Sequence, residues 1–240
     1  MDDDGEALDQ LIDSDVPRRP RRRRLRRAEK AAESRKALLR AAAKVVAEHG
    51  YAAASVARIT QEAGLAQGTF YLYYESRQDM LDEVPPYVGK ELSAFIRKRV
   101  KGAKDAFDVE ERSFRAAFEY LHEHPGFYRT LNEAEFAAPK GFDAQFEHAA
   151  SRYLLSLQRS RDRGELQGYE PHELDVLVYM LMAIRFYLYL RFVKSEDARS
   201  RRLPEWVVST YMKFIRHGLE APRASKSGRS RRRGPNTRGK

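Results

Sequence analysis

Apolar residues recur along this chain at helical spacing, and glycine or proline closes each interval. From about Ser34 to His49, Leu38, Leu39, Ala42, Val45 and Val46 share one face, with Gly50 as the stop. Between Ser55 and Arg77 the same period appears in two shorter pieces. Val56, Ile59 and Ala63 form the first stripe, with Ser55 as its N-cap and Gly64 at the left-handed position after its end. A second short helix of seven or eight residues restarts near Gln67. Phe70 and Tyr74 lie on one face of it, Thr69 and Tyr73 on the other with Leu72 beside them and Tyr71 at the margin.

So short a helix does not stand alone in water, because nucleation is unfavourable and its apolar face is small. The helix over 34–49 is the packing partner it requires. Two short helices joined by a glycine turn, the second with a free face, make a helix-turn-helix unit, which presents that face to the major groove of DNA. An ordinary αα corner of a helical protein has the same local pattern, and the two readings stand side by side on these residues alone.

Residues 35 to 82 also resemble the DNA-binding domain of the TetR-type transcriptional repressors. Ile59, Ala63, Gly64, Gly68, Thr69, Tyr71, Tyr74, Ser76, Arg77 and Leu81 carry the resemblance. Three positions depart from the family pattern. Thr60 stands where a small apolar residue is usual, Ala66 where Ser often caps the recognition helix, and Arg77 where Lys is commoner. The resemblance implies a three-helix head over 34–82 and a helical ligand-binding and dimerisation domain over 83–220. It also implies an operator of double-stranded DNA that is roughly palindromic. The DNA-facing set is Ser55, Gln67, Gly68, Thr69, Tyr71, Leu72, Tyr73 and Arg77.

Ser76 with Asp79 reads as a variant capping box opening the next helix. Arg77 at that N-terminus meets a DNA phosphate or pairs with Glu75 or Asp79. Pro85 and Pro86 fall inside this segment before Val88, Leu92, Phe95 and Ile96, and they predict a kink or break. Further helices follow over Val109 to His124, Phe127 to Phe136, Pro139 to Arg163, Pro171 to Lys194 and Pro204 to Leu219. No strand alternation bounded by hairpin turns occurs, so the fold class is all-α. The segment 171–194 is apolar nearly all round, but Arg185 and Arg191 interrupt it well short of a membrane span. Burial on several faces accounts for it better, and with the stripe Trp206, Val207, Tyr211, Phe214 and Ile215 the resemblance implies a four-helix homodimer interface through 171–194 and 204–219.

The net charge of +10 is uneven: residues 1–15 carry −7, residues 16–36 carry +9 and residues 221–240 carry +8, leaving 37–220 neutral. Both ends lack apolar residues and read as disordered, an acidic leader and Arg-rich arm over 1–33 and a basic tail over 221–240. The arm lies along phosphates or in a minor groove, or it is a solvated charge run. The acidic leader folding back on it is a third reading. No cysteine occurs, so there is no disulfide framework and no thiolate site. The opening Met-Asp-Asp-Asp is no secretory signal, and the expected location is cytoplasmic and nucleoid-associated.

Phosphate-loop, nucleophile-elbow and HExxH patterns are absent, and no enzyme, cofactor or metal reading has a constellation behind it. His122 and His124 are two residues apart and diverge on a helix. The body is rich in aromatics, most of them core. The candidate ligand-binding set is Phe118, Tyr128, Glu133, Phe136, Tyr153, Tyr179 and Arg185, with Glu133, Glu135 and Arg185 either in a buried ion pair or at a ligand's polar end. The function expected is a ligand-responsive, dimeric repressor released by a small hydrophobic effector. The rivals are an architectural, weakly specific DNA-binding protein driven by its Arg-rich ends, and a helical protein whose αα corner only mimics the motif.

Overall fold

A computed structural model describes residues 19–166, 168–194 and 202–219; the acidic leader and the basic tail lie outside them. Among the described residues there are helices and turns and no strand, as the periodicity predicts. The helices are α1 (Arg19–His49), α2 (Val56–Glu62), α3 (Gln67–Phe70), α4 (Arg77–Val100), α5 (Ala106–Glu123), α6 (Phe127–Ala137), α7 (Pro139–Asp162), α8 (Glu173–Phe192) and α9 (Glu205–Leu219). They fall into two compact units. Among the described residues, the first holds those up to Val88 together with Gly126–Asp143, and the second holds Gly89–Pro125 with those from Ala144 onward.

In the first unit α1 packs on α2 and on α6, and α2 on α3. Its core is Leu38, Ala42, Val46, Ile59, Phe70, Tyr74, Met80, Leu81 and Val84, all nearly or fully buried, with Phe127 and Ala134 added from α6. Each large side chain among them contributes about 1.5–3 kcal/mol by leaving water. The attachment of α6 is specific. Arg129 donates to the carbonyls of Ala47 and Glu48 at the end of α1, the second at 2.7 Å. Glu133 accepts the N–H of Tyr51 at 2.9 Å. Gly126 allows this approach, since a Cβ there would stand 2.6 Å from the Ala47 carbonyl oxygen.

Three expectations change here. The run from Arg19 to residue 33 is helix, not a disordered arm. Alanine, arginine, lysine and glutamate all favour helix, and extending an already nucleated α1 carries no second nucleation cost; Pro20 lies in the first turn, where its missing N–H is tolerated. Secondly, α3 is a single turn of four residues rather than seven or eight. Beyond it the chain continues as a turn of mixed bonding, with i→i+3 bonds from Leu72 N–H to Thr69 O and Tyr73 N–H to Phe70 O and an i→i+4 bond from Tyr74 N–H to Phe70 O. Thirdly, α4 runs unbroken through Pro85 and Pro86. Pro86 leaves the Asp82 carbonyl without its helical donor. That carbonyl oxygen lies 2.1 Å from where a Cβ of Gly141 would stand, so only glycine lets the start of α7 come this close.

The second unit is built around α5, which packs on α9. Phe114 stacks on Tyr211 with ring centres 4.0 Å apart and meets Phe118 at 4.8 Å. Leu174, Val178 and Leu181 of α8 are buried, while Val176, Tyr179, Met180 and Tyr187 are exposed. Trp206 and Phe214 of α9 are exposed as well. No described helix is long and apolar enough to cross a membrane.

Candidate nucleic-acid interface

Each end of the helix-turn-helix is closed by local chemistry. Ser55 Oγ accepts the N–H of Arg58 at 3.2 Å, which caps α2. At the other end Gly64 has φ 66°, its N–H bonds Gln61 O and the Leu65 N–H bonds Thr60 O at 2.9 Å. This pair of bonds is the Schellman arrangement, and it satisfies carbonyls that would otherwise be left open. Thr60 is buried yet costs little, because its hydroxyl donates to the Val56 carbonyl at 2.9 Å. Ala66 supplies no side-chain cap to α3. The turn is held by Phe70, fully buried, whose ring lies 5.5 Å from that of Tyr74.

With Phe70 and Tyr74 turned inward, the rest of the segment faces solvent. Gln67 and Gly68 are exposed, Thr69 and Tyr73 half-buried, and Tyr71 and Leu72 protrude most, at 60% and 76% exposure. Ser55 is exposed at the start of α2. Tyr71, expected at the margin of the free face, lies well out in solvent.

Arg77 has a role that the sequence did not disclose. Its Nε donates to the Ala54 carbonyl at 2.7 Å and a terminal nitrogen to the Tyr51 carbonyl, rather than to Glu75 or Asp79. The guanidinium thus ties the start of α4 to the loop ahead of α2. Ser76 and Asp79 form the reciprocal capping box, Ser76 N–H to Asp79 Oδ2 at 2.9 Å and Asp79 N–H to Ser76 Oγ at 3.1 Å. Tyr74 donates its hydroxyl to Glu83 at 3.2 Å, and burial, reinforced by the Glu83 charge, pushes its pKa up. Arg35 pairs with the same Glu83 and lies 5.1 Å above the Tyr74 ring.

The candidate ligand residues are divided between the two units. Tyr128, Glu133 and Phe136 belong to the first unit and Phe118, Tyr153, Tyr179 and Arg185 to the second. Phe136 is 86% exposed, Glu133 holds the Tyr51 backbone, and Tyr179 is an exposed ring beside Phe146. The expected ion pair of Arg185 exists with a different partner. Arg185 donates to Glu110 at 2.6 Å, the two side chains being 12% and 8% exposed, and Glu133 and Glu135 both face solvent. Tyr153 donates to Glu110 at 2.5 Å, Tyr211 donates to it too, and Ser113 accepts from Arg185 at 3.2 Å. Burial by itself would raise the Glu110 pKa, but the Arg185 charge and the two tyrosine hydroxyls outweigh it and hold the carboxyl below its ordinary range. The sequence did carry a signal for Glu110: with Phe114, Ala117 and Leu121 it recurs at i, i+4, i+7 and i+11, a carboxylate on the apolar stripe of α5.

Residues 38–84 match the model of the family described as bacterial regulatory proteins, tetR family. The chain carries a tetR-family head. A relative, the fatty acid metabolism regulator protein of Bacillus subtilis, is 31% identical over 75 residues, 31% of this chain and 37% of that protein. The sequence match thus spans little more than a third of that relative's length. Solved structures extend the likeness of fold to the bundle. The fatty acid degradation regulator FadR of Bacillus halodurans superposes with a TM-score of 0.61 at 20% identity, over 78% of this chain and 97% of that one. The TetR family regulator PfmR of Thermus thermophilus gives 0.54 at 22% identity, over 76% and 98%. The fold is therefore a tetR-family head followed by a helical bundle.

Proposed function

We propose that this chain is a sequence-specific DNA-binding transcriptional regulator that acts as a dimer and is released from its operator by a small apolar effector. The observation that carries the reading is the protruding Gln67–Tyr73 face, held outward by Phe70 of the same segment locked into the core. Ser55, Gln67, Gly68, Thr69, Tyr71, Leu72 and Tyr73 touch the DNA, and Arg77 supports them by holding the loop before α2. One such face reads only a few base pairs, so two are needed, one helical turn apart. The exposed apolar residues Val176, Met180 and Tyr187 of α8 and Trp206 and Phe214 of α9 supply a surface through which a second copy pairs.

The effector reading rests on two supports. The bundle has an aromatic-rich interior with one compensated buried ion pair, and Arg185 Nε is buried with no hydrogen-bond partner, one N–H left to meet an acceptor oxygen on an effector. Two of the similar proteins are named as regulators of fatty acid metabolism or degradation, which favours an acyl compound. A ligand acts here only through its different affinity for the DNA-bound and free conformations. Residues 34–82 serve as the reading head, 83–220 as the sensing and pairing domain, and the protein works in the cytoplasm on the chromosome.

Selection of bound duplexes from random DNA by the full chain, followed by titration with long-chain acyl thioesters and free acids, tests both parts. A recovered palindrome released by one of these compounds is the expected result. Recovery of no common sequence refutes the regulator, and a palindrome that no acyl compound releases refutes the acyl effector.

A further inference from the structure

The basic run ahead of the head is part of the same helix that scaffolds the helix-turn-helix, and this changes what it can do. From Arg19 to Lys30 the sequence has seven arginines and one lysine against a single glutamate. Six of the eight, Arg19, Arg22, Arg23, Arg26, Arg27 and Lys30, recur at i, i+3, i+4, i+7, i+8 and i+11. On a helix that is the spacing of one face. Arg26, Arg27 and Lys30 are exposed, and no residue of 25–33 is buried; Leu25, the apolar residue of the run, is 56% exposed. A cationic stripe of this length has self-repulsion to relieve.

Distances along α1 are counted from Arg35, which lies over Tyr74 directly after the recognition segment. Arg27 is eight residues, about 12 Å, further toward the N-terminus along the helix, and Arg19 about 24 Å. We propose that the N-terminal half of α1 is a rigid cationic strut that lies against duplex phosphates flanking the operator, adding affinity and no sequence preference. The occupant is duplex DNA rather than an acidic protein because the stripe is cationic, complements phosphates, and extends the helix that scaffolds the reading head, starting within a few base pairs' length of Arg35 along its axis. The inference rests on the regulator reading above and specifies a second contact for it.

Two full-chain variants test it on the selected operator. Replacing Arg22, Arg23, Arg26 and Arg27 by Gln removes up to four phosphate contacts. The slope of log affinity against log salt is then expected to become shallower by about 3–4, with at least a tenfold loss at physiological salt and the same preferred sequence. Inserting two alanines between Ala32 and Glu33 keeps every charge but turns the stripe by about 200° about the helix axis; a comparable loss is expected. An unchanged salt slope in the fourfold variant overturns the phosphate contact. Wild-type binding by the insertion variant overturns the strut, since only a flexible tether is indifferent to rotation. Failure of the wild-type chain to select any sequence sinks the regulator reading, while the slope comparison on random duplex still decides this one.

Discussion

The helix-turn-helix and the polar centre of the bundle solve the problem of holding polar groups in opposite ways. In the helix-turn-helix the capping bonds are short-range in sequence. Ser55 caps three residues on, Gly64 and Leu65 return to carbonyls three and five back, and Ser76 and Asp79 cap each other. In the bundle Glu110 collects Tyr153, Arg185 and Tyr211 from three other helices, across 43 to 101 residues. The first arrangement fixes a small rigid turn and leaves its outer face free for a partner. The second ties four helices together at one buried charge pair, so it is sensitive to any change in charge.

Breaking the bundle's centre should have the largest effect. Arg185→Met leaves the Glu110 carboxylate buried without a cation and is expected to lower stability by about 3–5 kcal/mol. The double change with Glu110→Met should recover most of this, as measured by chemical denaturation; equal loss in both would mean that the pair is not what matters. Gly141→Ala drives a methyl into the Asp82 carbonyl and should cost about 1–3 kcal/mol in the first unit, seen as faster amide exchange in α4 and α7. Tyr71→Ala with Leu72→Ala removes two protruding side chains, so stability should stay within about 0.5 kcal/mol while operator affinity falls at least tenfold. A large stability loss in that variant would place these residues in the core and defeat the reading of the face. Ser55→Ala should cost about 1 kcal/mol through the lost cap.

Acid sharpens the same contrast. The folded pKa of Glu110 lies below its ordinary value, so its ionisation stabilises the fold at pH above the unfolded carboxylate value of about 4.3. That contribution is lost as the pH falls through the lowered folded value. Wild type should therefore show a steeper acid limb in a stability-pH profile than Glu110→Gln, while the capped head contributes little to the difference.

What could be read in the sequence follows the same division. Ser55, Gly64, Ser76 and Asp79 act within a few residues, so their roles were legible from spacing, as were most helix boundaries. The length of α3 was not, because a wheel cannot distinguish a continued helix from the turn of mixed bonding that follows Phe70. Arg77 looked like an anion site because its partners, the Tyr51 and Ala54 carbonyls, are backbone groups that no residue type announces. Glu133 and Arg185 were grouped as conspicuous charges, yet one holds the Tyr51 backbone and the other a glutamate 75 positions away. The helical state of the Arg-rich run was missed because like charge argues for disorder, while continuation of a nucleated helix argues against it.

Hydroxyl-radical footprinting of the full chain on its selected operator tests the central claim most directly. The account predicts two protected patches related by a dyad, centred about 34–36 Å apart along the duplex, with two chains bound and both patches lost in the Tyr71→Ala, Leu72→Ala variant. A single continuous footprint that follows no sequence, unchanged in that variant, would contradict it.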